Sequence, residues 1–63
     1  MPVITVEMGQ TNEEKKKKLV ESLTKEAAEI IQMPVDHFTV FIHEYPFENI
    51  GQGGKTIKEI RGL

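Results

Sequence analysis

Pro2 has the least ordinary chemistry open to it of any residue in this sequence. Inside a chain, the proline nitrogen is a tertiary amide with no proton and no basicity. At the start of a chain it is a secondary amine. Proline is small enough for an initiator methionine to be trimmed ahead of it, so removal of Met1 is the expectation that would make Pro2 a functional group. Free α-amino groups titrate at about pH 7.7–8.0, and an apolar site lowers that value because burial disfavours the ammonium form. An amine near neutrality is well placed to shuttle a proton. The plainer alternative is a proline that is merely tolerated at the second position, so other features must decide.

The remaining chemistry-bearing residues form weaker patterns. His37 and His43 stand at no metal-ligand spacing with a third donor. His43-Glu44 lacks the second histidine, four residues on, of a helical zinc site, so His43 reads as a structural hydrogen-bonder and Glu44 as a counter-charge within an oligomer. No serine, histidine and carboxylate set is complete enough for acyl transfer. Gly53-Gly54-Lys55-Thr56 imitates the end of a phosphate loop, but Asn49 stands where the first glycine belongs, and too little chain follows for a nucleotide fold. Lys15 to Lys18 invite a nucleic-acid interpretation. Against it, Glu13 with Lys17 and Glu14 with Lys18 are favourable i,i+4 pairs, and the lysines wrap around the helix instead of forming a patch.

The elements that must position these residues follow from periodicity. Val3 to Met8 alternates, with Ile4, Val6 and Met8 on one face, as a half-buried strand does. Gly9-Gln10 turns the chain. Thr11 and Glu14 match a capping box, with Thr11 as the helix cap. Leu19, Val20, Leu23, Ala27, Ile30 and Ile31 then recur as one helical stripe, and Pro34 stops the helix near Met33. Val35-Asp36-His37 is a short connection. Phe38 to Tyr45 is a second strand, apolar on both faces, which implies burial on both sides. Strand, helix, strand predicts a βαβ unit with parallel strands and a right-handed crossover. That arrangement makes Pro2 a neighbour of Phe38-Thr39. Gly51 to Gly54 predicts a turn or hairpin, and Lys55 to Leu63 a short helical tail. One small α+β domain over 1–63 is the expected organisation.

A chain of 63 residues hides only about 60% of its unfolded surface, which leaves its core marginal. Small scaffolds need disulfides, metal or association. The sequence has no cysteine, so association is the remaining staple, and a homo-oligomer is expected. The net charge of −2 argues against a nucleic-acid binder. No apolar run approaches the roughly 20 residues of a membrane span, and no signal-peptide pattern is present. A cytoplasmic location with no membrane partner is the default expectation.

Together, the Met-Pro start, the strand, the Thr11-Asn12-Glu13-Glu14-Lys15 helix entry and Asn49-Ile50-Gly51-Gln52-Gly53-Gly54 resemble the 4-oxalocrotonate tautomerase family along essentially the whole chain. The resemblance implies a βαβ protomer pairing into a four-stranded sheet with two helices, and usually three such pairs in a hexamer. It implies Pro2 as the base, then acid, that converts the enol of a 2-hydroxy-dienoate such as 2-hydroxymuconate to its ketone. No metal or organic cofactor is implied. Well-known members carry an arginine where this chain has Gln10 and another where it has Thr39, and an aromatic residue where it has Ile50. Candidate substrate-binding residues are therefore Gln10, Thr39, Asn49 and Ile50, with Arg61 as a replacement guanidinium. Ile50 keeps an apolar wall for the Pro2 amine. The rival expectation is a non-catalytic, oligomeric ligand-binding or structural module on the same scaffold.

Overall fold

The computed structural model describes residues 1–62, so the last residue of the expected tail lies outside the described residues. Strand β1, Val3–Gly9, alternates between exposed Val3, Thr5 and Glu7 and half-buried Ile4, Val6 and Met8. Helix α1, Glu13–Ile31, crosses back, and strand β2, Thr39–Tyr45, returns parallel to β1 with Val3 opposite Thr39 and Gly9 opposite Tyr45. Side chains that share a register position in a parallel pair share a face. Ile4, Val6, Val40 and Ile42 therefore form the half-buried face, and Val3, Thr5, Phe41 and His43 lie on the other. The predicted strand–helix–strand order and parallel pairing are both present.

Helix α1 starts one residue later than the sequence predicts. Asn12 is the cap, its side chain accepting from the Lys15 N–H at 2.8 Å, and Glu13 and Glu14 in the first turn face the positive end of the helix dipole. Thr11 is not the cap; its N–H instead donates to Glu44 on β2 at 2.7 Å. Of the two predicted helix ion pairs, Glu14 and Lys18 meet at 3.8 Å. The helix ends at Ile31, with Gln32 in the left-handed region at φ 62° and its N–H on the Ala28 carbonyl at 2.8 Å. A non-glycine residue there is strained. Gln32→Gly is therefore expected to stabilise the protein by about 0.5–1 kcal/mol, read as a higher urea midpoint at fixed protein concentration.

Two 3₁₀ turns, Val35–His37 and Phe47–Asn49, flank β2. The predicted glycine hairpin follows as β3, Gly51–Gln52, and β4, Lys55–Thr56, joined through Gly53 and Gly54 at φ +63° and +87°. Positive φ at both central residues matches the twist of a tight hairpin. Helix α2, Ile57–Arg61, then begins with the capping box the sequence placed on α1: Thr56 accepts from the Glu59 N–H, while the Glu59 carboxylate accepts from the Thr56 N–H, both at 3.1 Å.

Among the described residues Ala28 is the only buried hydrophobic one. Leu19, Leu23 and Ala27 of the expected stripe are half-buried, whereas Val20, Ile30 and Ile31 are exposed in the isolated protomer. The radius of gyration is 15.0 Å, against about 11 Å for a compact chain of this length. The protomer is an open platform, with one helix on one face of a two-stranded sheet.

Candidate active site

The β1–α1 loop is held by one carboxylate. Glu44 follows Phe38, Val40 and Ile42 in phase, so it projects from the helix-facing side of β2. There its Oε2 accepts the Thr11 N–H at 2.7 Å and its Oε1 accepts from the Lys16 ammonium at 2.7 Å. Glu44 is thus a counter-charge within its own chain, contrary to the expectation that it serves an oligomer contact. Continuing the alternation by one more residue would have placed it.

The Lys16 hydrogen bond, followed by that from Thr11, holds the Glu44 carboxyl below its ordinary value. A group whose folded pKa is depressed stabilises the fold above its unfolded pKa, near 4.3, and that contribution is lost as pH falls through the folded value. Glu44→Gln is expected to melt below wild type at neutral pH, with the gap narrowing under acid conditions as wild-type Glu44 protonates. Thermal melts followed by circular dichroism at pH 7 and pH 3.5 check this, and a constant gap contradicts it.

The candidate site residues fall into three groups. Pro2 is half-buried at the start of β1, its carbonyl accepting the Thr39 N–H at 3.1 Å, as the predicted neighbourhood requires. Thr39 lines a recess there of about 320 Å³ with Met1, Asp36 and His37. Asp36 and His37, read from the sequence only as a connection, thus stand beside the candidate site.

At the far end of the strands, Asn49 and Ile50 line a second recess of about 460 Å³ with Glu7, Gly9 and Tyr45. Tyr45 donates its hydroxyl to Glu7 Oε1 at 2.8 Å. That bond chiefly raises the phenol above its ordinary pKa, with burial and the Glu7 charge adding to it. This pair was missed in the sequence, although both residues occupy outward positions of adjacent strands.

Gln10 belongs to a third recess of about 160 Å³, shared with Tyr45 and Phe47. The Arg61 guanidinium carbon lies 5.2 Å from the Phe47 ring centroid, within cation–π range. One chain therefore brings Pro2 to Thr39, Asn49 to Ile50, and Gln10 to the Phe47–Arg61 pair. It does not bring Pro2 to Gln10, which are separated by the length of β1, about 26 Å at 3.3 Å per residue.

Among the described residues no helix is long and apolar enough to cross a membrane. Comparison with known proteins agrees with the parallel sheet and its glycine hairpin. A sequence model of the family described as Tautomerase enzyme matches residues 2–60. DmpI from Archaeoglobus fulgidus is 46% identical, with a TM-score of 0.81, over 89% of this chain and 97% of its own. TomN, a 4-oxalocrotonate tautomerase homologue of the tomaymycin biosynthetic pathway, is 30% identical with a TM-score of 0.92, over 98% of this chain and 97% of its own. An apo unfused 4-OT structure is 30% identical with a TM-score of 0.85, and each chain is covered in full. No curated protein matches the chain. The match over residues 2–60 spans both strands, the long helix and the hairpin, and on that extent the chain belongs to the tautomerase family.

Proposed function

We propose that this protein is an isomerase, an enol–keto tautomerase of 2-hydroxy-dienoate acids such as 2-hydroxymuconate, with Pro2 carrying the proton once Met1 has been removed. The observation that carries this reading is the position of Pro2 within a tautomerase-family chain: half-buried, beside a recess, with its carbonyl tied to β2. In the proposed reaction the Pro2 amine takes the proton of the substrate 2-hydroxyl as a C2 carbonyl forms. The ammonium then returns that proton to a carbon of the dienolate, so one O–H bond is replaced by one C–H bond. No electrons leave the substrate, and no redox partner enters.

The separation of Pro2 from Gln10 along β1 bears on assembly. A site containing both needs residues from more than one copy, which favours a homo-oligomer. In this reading the open edges of the two-stranded sheet pair between copies into a four-stranded sheet with two helices on one face, and such pairs associate further, as a hexamer. The thin core and the exposed Val20, Ile30, Ile31 and Val35 support association on independent grounds. The resulting enzyme acts in the cytoplasm on a small unsaturated acid.

The neutral side chains at Gln10 and Thr39 favour a second reading, a non-catalytic ligand-binding oligomer on the same scaffold. Ultraviolet absorbance during ketonisation of 2-hydroxymuconate separates the two, with Met1-free wild type compared with Met1-free Pro2→Ala. A faster wild type supports the tautomerase, and equal rates remove Pro2 from the mechanism.

A further inference from the structure

We propose that Glu44 is a positioning residue for the substrate: by holding the Thr11 N–H it fixes the backbone at Gln10, and so sets where the Gln10 side-chain amide meets an unsaturated acid. This role rests on the reading of Gln10 as a substrate-binding residue under the proposed function.

Gln10 is exposed and lies between β1 and α1, where a loop side chain is ordinarily mobile. Here its backbone is held on both sides. On the preceding side, Gly9 is the last residue of β1 and stands in register with Tyr45. A Cβ built on Gly9 would lie 3.0 Å from Phe47 Cε1, so the Phe47 ring lies close against the bare Cα. On the following side, Glu44 Oε2 accepts the Thr11 N–H at 2.7 Å. That N–H belongs to the peptide unit that also contains the Gln10 carbonyl, and the unit is planar. Holding the N–H therefore holds the carbonyl and restricts ψ of Gln10. Between these two anchors, Gln10 lines its recess with Tyr45 and Phe47.

The anchor is itself oriented. Lys16, near the start of α1, donates to Glu44 Oε1 at 2.7 Å. Each carboxylate oxygen thus serves a different partner, and the group cannot rotate without breaking a charge-assisted bond. Glu44 stands near the end of β2, and Thr39 at its start donates its N–H to the Pro2 carbonyl at 3.1 Å. One regular strand therefore ties down both Pro2 and the Gln10 loop, and a site supported by such an element is more exact than one left to a free loop.

Muconate is the probe, because it lacks the 2-hydroxyl and cannot be ketonised. Calorimetry measures its affinity, and the Gln10 side-chain amide signal in nuclear magnetic resonance, identified by its loss in Gln10→Ala, reports contact. Gln10→Ala is expected to weaken binding by about tenfold and Glu44→Ala by about threefold to tenfold. In the Gln10→Ala background, Glu44→Ala is expected to add less than about twofold, because a group acting through Gln10 then has nothing to position. Glu44→Gln keeps an oxygen for the Thr11 N–H and is expected to bind within about threefold of wild type, although it melts lower at neutral pH. A purely structural role would instead make affinity follow stability and leave the Glu44→Ala loss intact without Gln10. If Glu44→Ala does not fold, Glu44→Leu, which fills the same space without an acceptor, takes its place in the cycle.

A Gln10 signal unmoved by millimolar muconate overturns the proposal. So does a Glu44→Ala loss undiminished in the Gln10→Ala background, or Glu44→Gln binding as weakly as Glu44→Ala. If Glu44 and Gln10 act as one on muconate while no enol acid is turned over, the positioning stands and the tautomerase reading falls.

Discussion

Acetylating the Pro2 nitrogen of the Met1-free protein is expected to slow ketonisation of 2-hydroxymuconate by about a hundredfold to ten-thousandfold, the range a positioned general base supplies. An acylated proline nitrogen is an amide and cannot accept a proton, whatever pocket surrounds it. A retained Met1 has the same effect and adds bulk, since this side chain is 91% exposed at the mouth of the Thr39 recess. Pro2→Ala leaves a primary amine and is expected to lose less than the acetylated protein. That order, wild type above Pro2→Ala above acetyl-Pro2, separates loss of basicity from loss of ring geometry. Only unprotonated Pro2 accepts the substrate proton, so kcat/KM is expected to rise with pH along one ascending limb and level off above the amine pKa. The limb should lie at or below the ordinary range of an α-amino group, about 7.7–8.0, because the half-burial of Pro2 disfavours the ammonium. Equal rates for free and acetylated protein would leave Pro2 with no part in proton transfer.

Phe41→Glu is the second large effect, expected on assembly. Phe41 lies on the sheet face away from α1, where it and Val3 are each 51% exposed, with the His43 ring stacked 6.5 Å from the Phe41 ring. With Ala28 the only buried hydrophobic among the described residues, the protomer cannot draw its stability from its own interior. Covering a phenylalanine contributes about 1.5–3 kcal/mol, and each copy contributes one, so a pair of copies loses about twice that. At 1.4 kcal/mol per tenfold, association should weaken by about a hundredfold or more, before counting the cost of burying a carboxylate. Because folding and association are coupled in such chains, far-ultraviolet circular dichroism should fall together with the mass seen in sedimentation equilibrium. A variant that keeps the wild-type mass at micromolar concentration would place the covered surface elsewhere, the groove of Val20, Val35 and Phe38 being the next in line.

The secondary structure was legible because its causes are local. Alternation of β-branched residues within Val3 to Met8 and Phe38 to Tyr45 suffices for strands. A 19-residue helix between them leaves a parallel crossover as the short connection, and Gly53-Gly54 tolerates the positive φ of a tight turn. The helix cap was misplaced by one residue. Thr11 and Asn12 both carry a capping side chain, and Asn12 takes the Lys15 N–H, while the Thr11 N–H goes to Glu44, 33 positions away.

The site was legible in part. Residue types and family resemblance identify Pro2 and its neighbour Thr39, and parallel register alone brings these two together. Glu44 on Lys16 and Tyr45 on Glu7 are contacts across 28 and 38 residues, and Arg61 reaches Phe47 only after the hairpin and α2 have folded back. The sequence by itself determined the order of elements and their pairing direction, because propensity and periodicity act over a few residues. The tertiary structure alone decided which carboxylate holds the β1–α1 loop and where the single guanidinium rests. Those outcomes depend on where separate elements meet in space, and no spacing along the chain encodes that meeting.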